Sequence, residues 1–582
     1  MSTRRHADPI ALELVNNSLQ SLSDEMGATI ARSCASPLIR EAQDFAAGYA
    51  DKAGQVLSNC VASPGFVTSP RAFIGAVIDF FGADIKAGDI FIVNDPYHGG
   101  SHLPDIQMVK PVFVEGALFC WIYTKAHHVD VGGRVAGSMA FDNVDIFQDG
   151  FRIPPVKAYQ EGVPNRTFFD LLRLNIRYPE VLLSDLNAKI NAMMVGERGV
   201  LRLVTEYGGA RLSVIFEDLL NYAEDLARAQ IRTWKKGSWE FTDYMDEDMV
   251  TGRPLKLHVK VTVNEDSIHA DFTGTAAQVP ASYNMAYHEL EGCMVNNIRA
   301  CLDGPVPMNS GLLRTVSVYA PEGTVVNPRS PAGTSERGML TGFVRTLLLG
   351  AMVQCRPEKM TAAGHGGSSL VRLGGKNAKG RDAYLFDRVG PGAMGARMRK
   401  DGLDGAGGGT IESVEILEAH FPVRVENHEL VPNTGGPGQF RGGCGVRRDY
   451  VWLGTDGYFR PRIPRIANGP WGVENGQPGA CASLFLNPES GNSILDPKGI
   501  TRISPGDVMK VTLAGGGGWG RPLQRDPEQC LNDLIEGLET ADHIRRTYGV
   551  VIDEASMRVD AVATAQLREQ LRQRQRETER AS

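Results

Sequence analysis

Glycine crowds the second half of this chain. The sequence holds 66 glycines among 582 residues, above the average usage of about 7%. Much of the excess follows residue 360, in Gly364–Gly367, Gly405–Gly409, Gly435–Gly445 and Gly515–Gly520. Glycine is disfavoured inside helices, and these runs alternate with short apolar stretches. The region from about 360 to 520 is therefore predicted to be a turn-rich β region.

The first regular element is predicted to be an amphipathic helix. Asp8 is a good N-cap, and Pro9 suits the first helical position. Apolar residues then recur at three- and four-residue steps, at Leu12, Val15, Leu19, Leu22, Met26 and Ile30. This stripe is predicted to be buried against a neighbouring element.

A β-hairpin is predicted further along. Ile90–Val93 is a short apolar strand, and Gln107–Val114 and Ala117–Thr124 are strand-like. Glu115-Gly116 between them is a two-residue hairpin turn. Val114 then pairs with Ala117.

The remaining elements indicate a multidomain α+β protein. Helices are predicted at Phe168–Leu174, Arg211–Thr233, Leu340–Met352, Pro527–Leu538 and Asp553–Arg580, and strands at Leu257–Val263 and Ser267–Phe272. A chain of 582 residues is too long to fold around a single hydrophobic core. The predicted regions are an N-terminal α/β metal-binding region (1–250), a mixed α/β region (251–360), the glycine-rich β region (361–525) and C-terminal helices (526–582). The last helix is interpreted as a solvated surface helix, with a partner contact as the alternative.

Composition excludes several classes of protein. A net charge of −7 gives no basic footprint for nucleic acid or anionic membranes. No apolar stretch reaches the roughly 20 residues of a membrane span. The N-terminus opens on charges, which predicts no signal peptide. Nine cysteines without a C-x-x-C pair predict neither disulfides nor a thiolate zinc site, and favour a cytoplasmic protein.

Ligand-capable side chains concentrate in two short segments, 94–105 and 125–130. They hold His98, His102, His127 and His128 beside Asp95, Asp105 and Asp130. The hairpin register predicts that His127 lies opposite Pro104 and Asp105 opposite Ala126, with His102 close by. Imidazole and carboxylate together suit zinc, manganese or iron, and suit calcium or magnesium poorly. The alternative is that these histidines only satisfy backbone groups.

Several other functional motifs are absent or incomplete in this sequence. The chain has neither a P-loop nor a G-x-S-x-G elbow. Gly515, Gly517 and Gly520 formally match a dinucleotide fingerprint, but Pro522 follows where a helix should open, which favours a tight turn. His365 is interpreted as a backbone partner rather than a general base. Lys125 is interpreted as a surface lysine, with anion binding as the alternative.

The segment 94–105, NDPYHGGSHLPD, strongly resembles the hydantoinase B, oxoprolinase and acetone carboxylase alpha-subunit family. Similar blocks continue along nearly the whole chain, at 40–45, 147–155, 271–274, 437–443, 515–520 with 525–527, and 548–551. The chain departs from the family at Val61–Val67, where relatives carry a histidine-containing segment. That departure concerns the substrate end of the site.

The resemblance implies a metal site and its ligands. The implied ligands are Asp44, His102, Asp105 and His127, with His128 as the rival of His127. Asp95, His98 and Asp130 would orient these ligands, and Asp130 or His98 would accept a proton. Zinc is the first choice, with manganese or iron as alternatives.

The resemblance also implies an enzyme that works with a partner. A separate hydantoinase A-type subunit would bind ATP with magnesium and phosphorylate the amide oxygen of a hydantoin, oxoproline or lactam. Metal-bound hydroxide on this chain would then attack the activated carbon, in a hetero-oligomer of two plus two subunits. The alternatives are an ATP-dependent ketone carboxylase that uses bicarbonate and a non-catalytic scaffold. The length favours the hydrolase, since acetone carboxylase alpha chains are longer.

Overall fold

A computed structural model describes residues 8–61, 69–248, 250–367, 369–390, 392–405, 411–490, 493–494 and 499–581. Val61–Val67, where the sequence departs from the family, lies almost entirely outside these residues, as do 406–409 of the run Gly405–Gly409. The chain forms two compact units, Met1–Asp243 with Glu247–Ala351 and Tyr244–Asp246 with Met352–Ser582. The α+β class is confirmed, whereas the finer division into four regions stays a prediction. None of the described helices is long and apolar enough to span a membrane.

The first unit contains ten helices and eleven strands among its described residues. The helices are α1 Pro9–Ser33, α2 Pro37–Arg40, α3 Ser69–Phe81, α4 Ile146–Asp149, α5 Arg166–Asn175, α6 Pro179–Tyr207, α7 Gly209–Ile231, α8 Tyr287–Cys301, α9 Ser310–Leu313 and α10 Arg337–Met352. The strands are β1 Phe45–Asp51, β2 Val56–Val61, β3 Ile90–Val93, β4 Asp105–Val114, β5 Ala117–His127, β6 Val156–Gln160, β7 Val163–Pro164, β8 Gly237–Met245, β9 Leu255–Val263, β10 Ile268–Asp271 and β11 Val316–Tyr319. Short 3-10 turns lie at Gly82–Asp84 and Pro96–His98.

A seven-stranded sheet with the order β2-β1-β5-β4-β3-β6-β7 organises the first unit. One face packs on α1, α6 and α7, and the other packs on α3. The prediction for α1 is confirmed, since Asp8 accepts the Ile10 N–H at 3.2 Å and the whole apolar stripe is buried. A second sheet of this unit has the order β11-β10-β9-β8.

The predicted hairpin is confirmed, but its register shifts by one residue. Val114 pairs with Ala117, and the turn residues Glu115 and Gly116 both have positive φ, as a type I′ turn requires. A β-bulge at Val112/Phe113 then changes the pairing, because β5 contributes one extra residue there. The predicted pairing of His127 with Pro104 is therefore wrong, and His127 lies directly opposite Asp105.

The second unit contains the predicted glycine-rich β region and the C-terminal helices. Its strands are β12 Leu370–Lys376, β13 Asp382–Asp387, β14 Val423–Leu430, β15 Val446–Trp452, β16 Gly457–Arg462, β17 Ser483–Leu486, β18 Ser493–Ile494, β19 Thr501–Ile503, β20 Val508–Thr512, β21 Ile552–Asp553 and β22 Arg558–Val559. Its helices are α11 Val414–His420, α12 Pro527–Ile535, α13 Ala541–Tyr548 and α14 Ala561–Ala581, with 3-10 turns at Pro488–Ser490 and Pro522–Gln524. The single helix predicted over Asp553–Arg580 is wrong at its start, since β21 and β22 precede α14.

Two sheets of the second unit share one apolar core. Their orders are β13-β12-β16-β19 and β14-β15-β20-β17-β18. Side chains such as Leu373, Trp452 and Val511 fill the space between them. The β character predicted for this region is confirmed.

The glycine run 515–520 does not form a strand. The tight turn predicted for this run is limited to its last residue. Only Gly520 has positive φ. The N–H groups of six consecutive residues all donate to backbone carbonyls: Gly515 to Ala480, Gly516 to Gly443, Gly517 to Ala363, Gly518 to Gln477, Trp519 to Phe440 and Gly520 to Val473. The first and fourth donors thus reach the segment 477–480, and the second and fifth reach 440–443. A three-residue repeat is the period of a polyproline II chain. Neighbouring backbones leave no room for a side chain at Gly515–Gly518.

The close backbone packing predicts a steep cost for a side chain added at Gly515–Gly518. A Cβ at Gly516 would lie 2.0 Å from the Met394 carbonyl oxygen. We expect Gly516→Ala to lower the free energy of unfolding by about 3 kcal/mol or more through overpacking. Gly380→Ala is the control, since Gly380 has a positive φ but open surroundings, and about 1 kcal/mol of backbone strain is expected there. Denaturant unfolding that gives equal losses would contradict this packing.

Candidate metal centre

Strand alternation brings three predicted ligands to one face of the seven-stranded sheet. Asp105 begins β4 and His127 ends β5, directly opposite each other. Asp44 precedes β1, and its carbonyl oxygen accepts the His127 N–H at 2.9 Å. Since successive side chains alternate between faces, Asp44, Asp105 and His127 leave the sheet on the α3 side.

Ligand atoms of His102, Asp105 and His127 converge in a buried cluster. The His102 Nε2 and the His127 Nδ1 each lie 2.9 Å from the Asp105 Oδ1. The two imidazole nitrogens are 3.0 Å apart. All three side chains are buried. In the described part of the chain, this is the group of histidine and carboxylate atoms whose spacing could hold a metal ion.

The tautomer of His102 suits metal binding. Its Nδ1 lies 2.8 Å from the Ser335 carbonyl oxygen, which can only accept a hydrogen bond, so Nδ1 carries the proton. Burial lowers the pKa of His102 to about 4, which keeps the imidazole neutral. The Nε2 therefore presents a lone pair to Asp105 Oδ1. A divalent cation would satisfy both atoms at once, and a backbone carbonyl on the other nitrogen is the usual support of a ligating histidine.

The second oxygen of Asp105 is held by hydrogen bonds and positive charge. Its Oδ2 accepts from Ser101 Oγ at 2.5 Å and from Arg337 Nη2 at 2.6 Å, and Lys125 Nζ lies 3.4 Å away. Burial raises the pKa of Asp105, but the hydrogen bonds and positive charges around it, which include Lys125 and Arg337, hold that pKa well below its ordinary value. Asp105 therefore stays ionised, with Oδ1 directed at the histidines.

The segment 329–337 completes the site from a distant part of the sequence. Buried Asp149 accepts the N–H groups of Thr334 and Ser335 at 2.7 and 3.0 Å. These bonds fix the Ser335 carbonyl that orients His102. Arg337 links Asp105 to Glu289 through Nη1, 3.0 Å from the Glu289 Oε1. The segment thus orients His102 and supplies a positive charge beside Asp105.

His128 points away from the cluster. Its Nδ1 lies 3.6 Å from Asp185 Oδ2, and its Nε2 lies 3.5 Å from Lys189 Nζ, both on α6. As the neighbour of His127 along an extended chain, it faces the opposite side of the sheet. The geometry favours His127 over its rival.

The remaining predicted residues lie outside the three-atom cluster. His98 pairs with Asp95, whose Oδ2 is 2.7 Å from the His98 Nδ1 and 2.7 Å from the Arg152 Nε. Asp130 accepts from Gly132 N–H, Gly137 N–H and Arg177 Nη1. The roles of Asp44, Asp95, His98 and Asp130 stay predictions.

The interpretation of Lys125 as a surface residue is wrong. Its side chain is fully buried and donates to Ser101 Oγ at 2.7 Å and to Ser69 Oγ at 3.2 Å. Strand alternation could have predicted this, since Lys125 and His127 share a face of β5. His365 lies in the second unit, and its ring hydrogen-bonds to the Gly367 backbone.

The buried ion pairs of Arg337 predict a large effect on stability. Arg337→Leu would leave the carboxylates of Asp105 and Glu289 buried with less compensation, and we expect a loss of about 3–5 kcal/mol. Arg329→Leu, in the same segment, breaks an exposed pair with Glu322 and should cost no more than about 1 kcal/mol. Equal losses in denaturant titrations would contradict the burial of Arg337.

Comparison with solved structures finds two with the same fold. A solved ATP-dependent caprolactamase from Pseudomonas jessenii superposes with a TM-score of 0.89 at 27% identity, covering 97% of this chain and 100% of that one. A nucleotide-free acetone carboxylase superposes with a TM-score of 0.87 at 21% identity, covering 98% and 83%, and so shares the fold.

Sequence comparison gives the family. A protein named as the B component of a D-/L-hydantoinase, from Pseudomonas sp. strain NS671, is 32% identical over 96% of this chain and 98% of its own. The family model described as Hydantoinase B/oxoprolinase matches residues 8–522. The chain belongs to the hydantoinase B/oxoprolinase family.

Proposed function

We propose that this chain is the metal-bearing B component of an ATP-dependent amidohydrolase that opens cyclic amides. The observation that carries the proposal is the convergence of His102 Nε2, Asp105 Oδ1 and His127 Nδ1 in a buried cluster. The names of its relatives, a hydantoinase component and a caprolactamase, support the reaction class. The first relative is named as one subunit of its enzyme, which supports a partner chain.

The donor set fits a divalent transition metal. Two imidazole nitrogens and one carboxylate oxygen are donors that catalytic zinc sites use. Asp44 is the fourth ligand we propose, because it leaves the same face of the sheet beside His127. Zinc is the first candidate, and manganese and iron accept the same donors. When bound, such an ion supplies a Lewis acid that lowers the pKa of a water molecule toward about 7.

The protein residues would hold this chemistry in place and move its protons. Ser335 fixes the His102 ring, while Ser101, Lys125 and Arg337 fix the Asp105 carboxylate. His98 is the proton acceptor we favour. Asp95 fixes its Nδ1–H, so Nε2 is left as the base, and the side chain is 38% exposed. Asp130 is less suited, because both of its oxygens already accept hydrogen bonds from the backbone.

An amide carbon needs activation before water attacks it, since resonance makes hydrolysis slow. We propose that a hydantoinase A-type partner binds ATP with magnesium and phosphorylates the amide oxygen, in a complex of two plus two subunits. The sequence contains no phosphate-binding loop of its own, which supports this division of labour.

A ketone carboxylase is the second candidate. The acetone carboxylase superposition supports it, because the same ligands could serve either reaction. At 21% identity, however, that likeness concerns the fold. Two proteins with higher identity are named as a hydantoinase component and a caprolactamase, which favours ring opening.

The test is ATP-dependent turnover by the chain co-expressed with its A-type partner. Hydantoins, lactams, oxoproline and ketones would be assayed with bicarbonate present and rigorously removed. We expect ring opening that persists without bicarbonate. His102→Ala should lower it by about a hundredfold or more, since even outer-shell changes at metal sites cost 10–100-fold.

His269→Ala is the matched control for this assay. His269 lies on β10 and bonds the Ser317 hydroxyl, away from the cluster, so its loss should leave turnover unchanged. Turnover with ketone and bicarbonate alone would establish the carboxylase instead. A fully active His102→Ala complex would leave the scaffold role as the explanation.

A further inference from the structure

Asp149, the last residue of α4, is a buried carboxylate held by neutral groups. Its Oδ1 accepts from the side-chain amide of Asn143 at 2.8 Å. Its Oδ2 accepts the N–H groups of Thr334 and Ser335 at 2.7 and 3.0 Å. Aspartate is rarely buried unless it is paired, yet these three donors carry no charge. A carboxylate kept in such surroundings is a candidate for a role beyond packing.

The backbone of Ser335 connects Asp149 to the metal centre. The Ser335 N–H donates to Asp149, and the carbonyl oxygen of the same residue accepts the Nδ1–H of His102 at 2.8 Å. The two hydrogen bonds lie at the two ends of one residue. A shift of the Ser335 backbone away from Asp149 would therefore also move the carbonyl away from His102.

The position of this carbonyl decides which nitrogen of His102 carries the proton. The Nε2 lies 2.9 Å from the Oδ1 of ionised Asp105, and a carboxylate there favours a proton on Nε2. The Ser335 carbonyl is the competing acceptor, at Nδ1. A proton on Nε2 would remove the lone pair that a metal ion needs. By holding Ser335, Asp149 favours the tautomer of His102 that can bind metal.

The charge of Asp149 responds to pH near neutrality. Burial raises its pKa to about 7, although its hydrogen bonds lower that pKa in part. Above this pH the carboxylate accepts from all three donors. Below it, one carboxyl oxygen carries a hydrogen and faces groups that can only donate, so one of the hydrogen bonds is lost. Protonation should therefore loosen the hold on Ser335.

The surroundings of Asp149 contain little charge that could override this effect. The groups of segment 329–337 that act most on its pKa are uncharged. Tyr97 lies close enough for the Asp149 charge to raise the pKa of its hydroxyl. Arg134 reaches Asp149 through Asn143, whose Oδ1 accepts the Arg134 Nε–H at 2.9 Å.

We propose that Asp149 is a positioning residue whose ionised carboxylate holds His102, through Ser335, in the tautomer that binds metal. The inference rests on the metal centre of the proposed function, but it concerns metal affinity and not catalysis. Metal retention then depends on the charge of a residue outside the cluster.

The test is the zinc affinity of the full chain, measured by competition with a chromophoric chelator from pH 6 to pH 8. We expect Asp149→Asn to bind zinc about tenfold more weakly than wild type at pH 8, as changes behind a metal ligand do. Asparagine does not titrate, so any pH dependence of the ligands themselves is common to both chains. With a pKa of about 7, the difference should shrink to about twofold at pH 6.

Exchange of the two side chains is the rescue experiment. Asn143→Asp combined with Asp149→Asn again places an amide donor against a carboxylate, and Arg134 then balances the relocated charge. We expect this double variant to bind zinc within about threefold of wild type at pH 8, since the two substitutions compensate each other. A purely additive loss would contradict the hydrogen-bonded path.

Asp185→Asn is the matched control. Asp185 is also buried, and its Oδ1 also accepts two backbone N–H groups, those of Ala35 and Ser36 at 2.8 and 3.1 Å. This variant should leave zinc affinity unchanged. Hydrogen–deuterium exchange of the metal-free chains is a second readout, and we expect faster exchange over 329–337 in Asp149→Asn only.

Three results would overturn the role of Asp149: equal zinc affinity of wild type and Asp149→Asn at pH 8, an equal loss in Asp185→Asn, or a difference that stays constant down to pH 6. In each case wild type still binds zinc, so the proposed metal centre would remain. A wild-type chain that binds no zinc would overturn both proposals.

Discussion

The carboxylate of Asp105 is the interaction on which the site depends. Its Oδ1 faces two imidazoles and its Oδ2 faces Ser101, Arg337 and Lys125. An ionised group at this depth is stable only when charges and hydrogen bonds compensate for its lost hydration. That requirement explains why a lysine and an arginine are buried beside it. It also explains why the segment 329–337 packs against the strand ends, since it supplies the guanidinium and the carbonyl that orients His102.

Local chemistry determined the parts of the fold that the sequence predicts well. The α1 stripe and the Glu115-Gly116 turn involve residues close in sequence, and both are confirmed. The glycine-rich region was predicted as β structure with turns. Its run 515–520 instead donates hydrogen bonds to several surrounding segments. That arrangement depends on which distant backbones surround the run, and no period in its own sequence reports them.

The same limit applies to the site: its local features are predictable from the sequence, and its distant contacts are not. His102, Asp105 and His127 were identified because the hairpin brings two short segments together. The bulge at Val112/Phe113 moved the register by one residue, which a count from the turn cannot anticipate. Period-two alternation would separate His127 from His128 if Lys125 were assigned to a buried face. Arg337 could not be predicted, because it lies 232 residues from Asp105 in a segment without a distinctive motif.

Metal content of the purified chain tests most directly whether this cluster is a metal centre. Wild type, His127→Ala and His128→Ala would be loaded with zinc, dialysed and measured by elemental analysis. We expect wild type and His128→Ala to retain one ion per chain, because His128 faces Asp185 and Lys189 on the other side of the sheet. His127→Ala should lose it. A wild-type chain without bound metal, or loss in His128→Ala alone, would contradict the account.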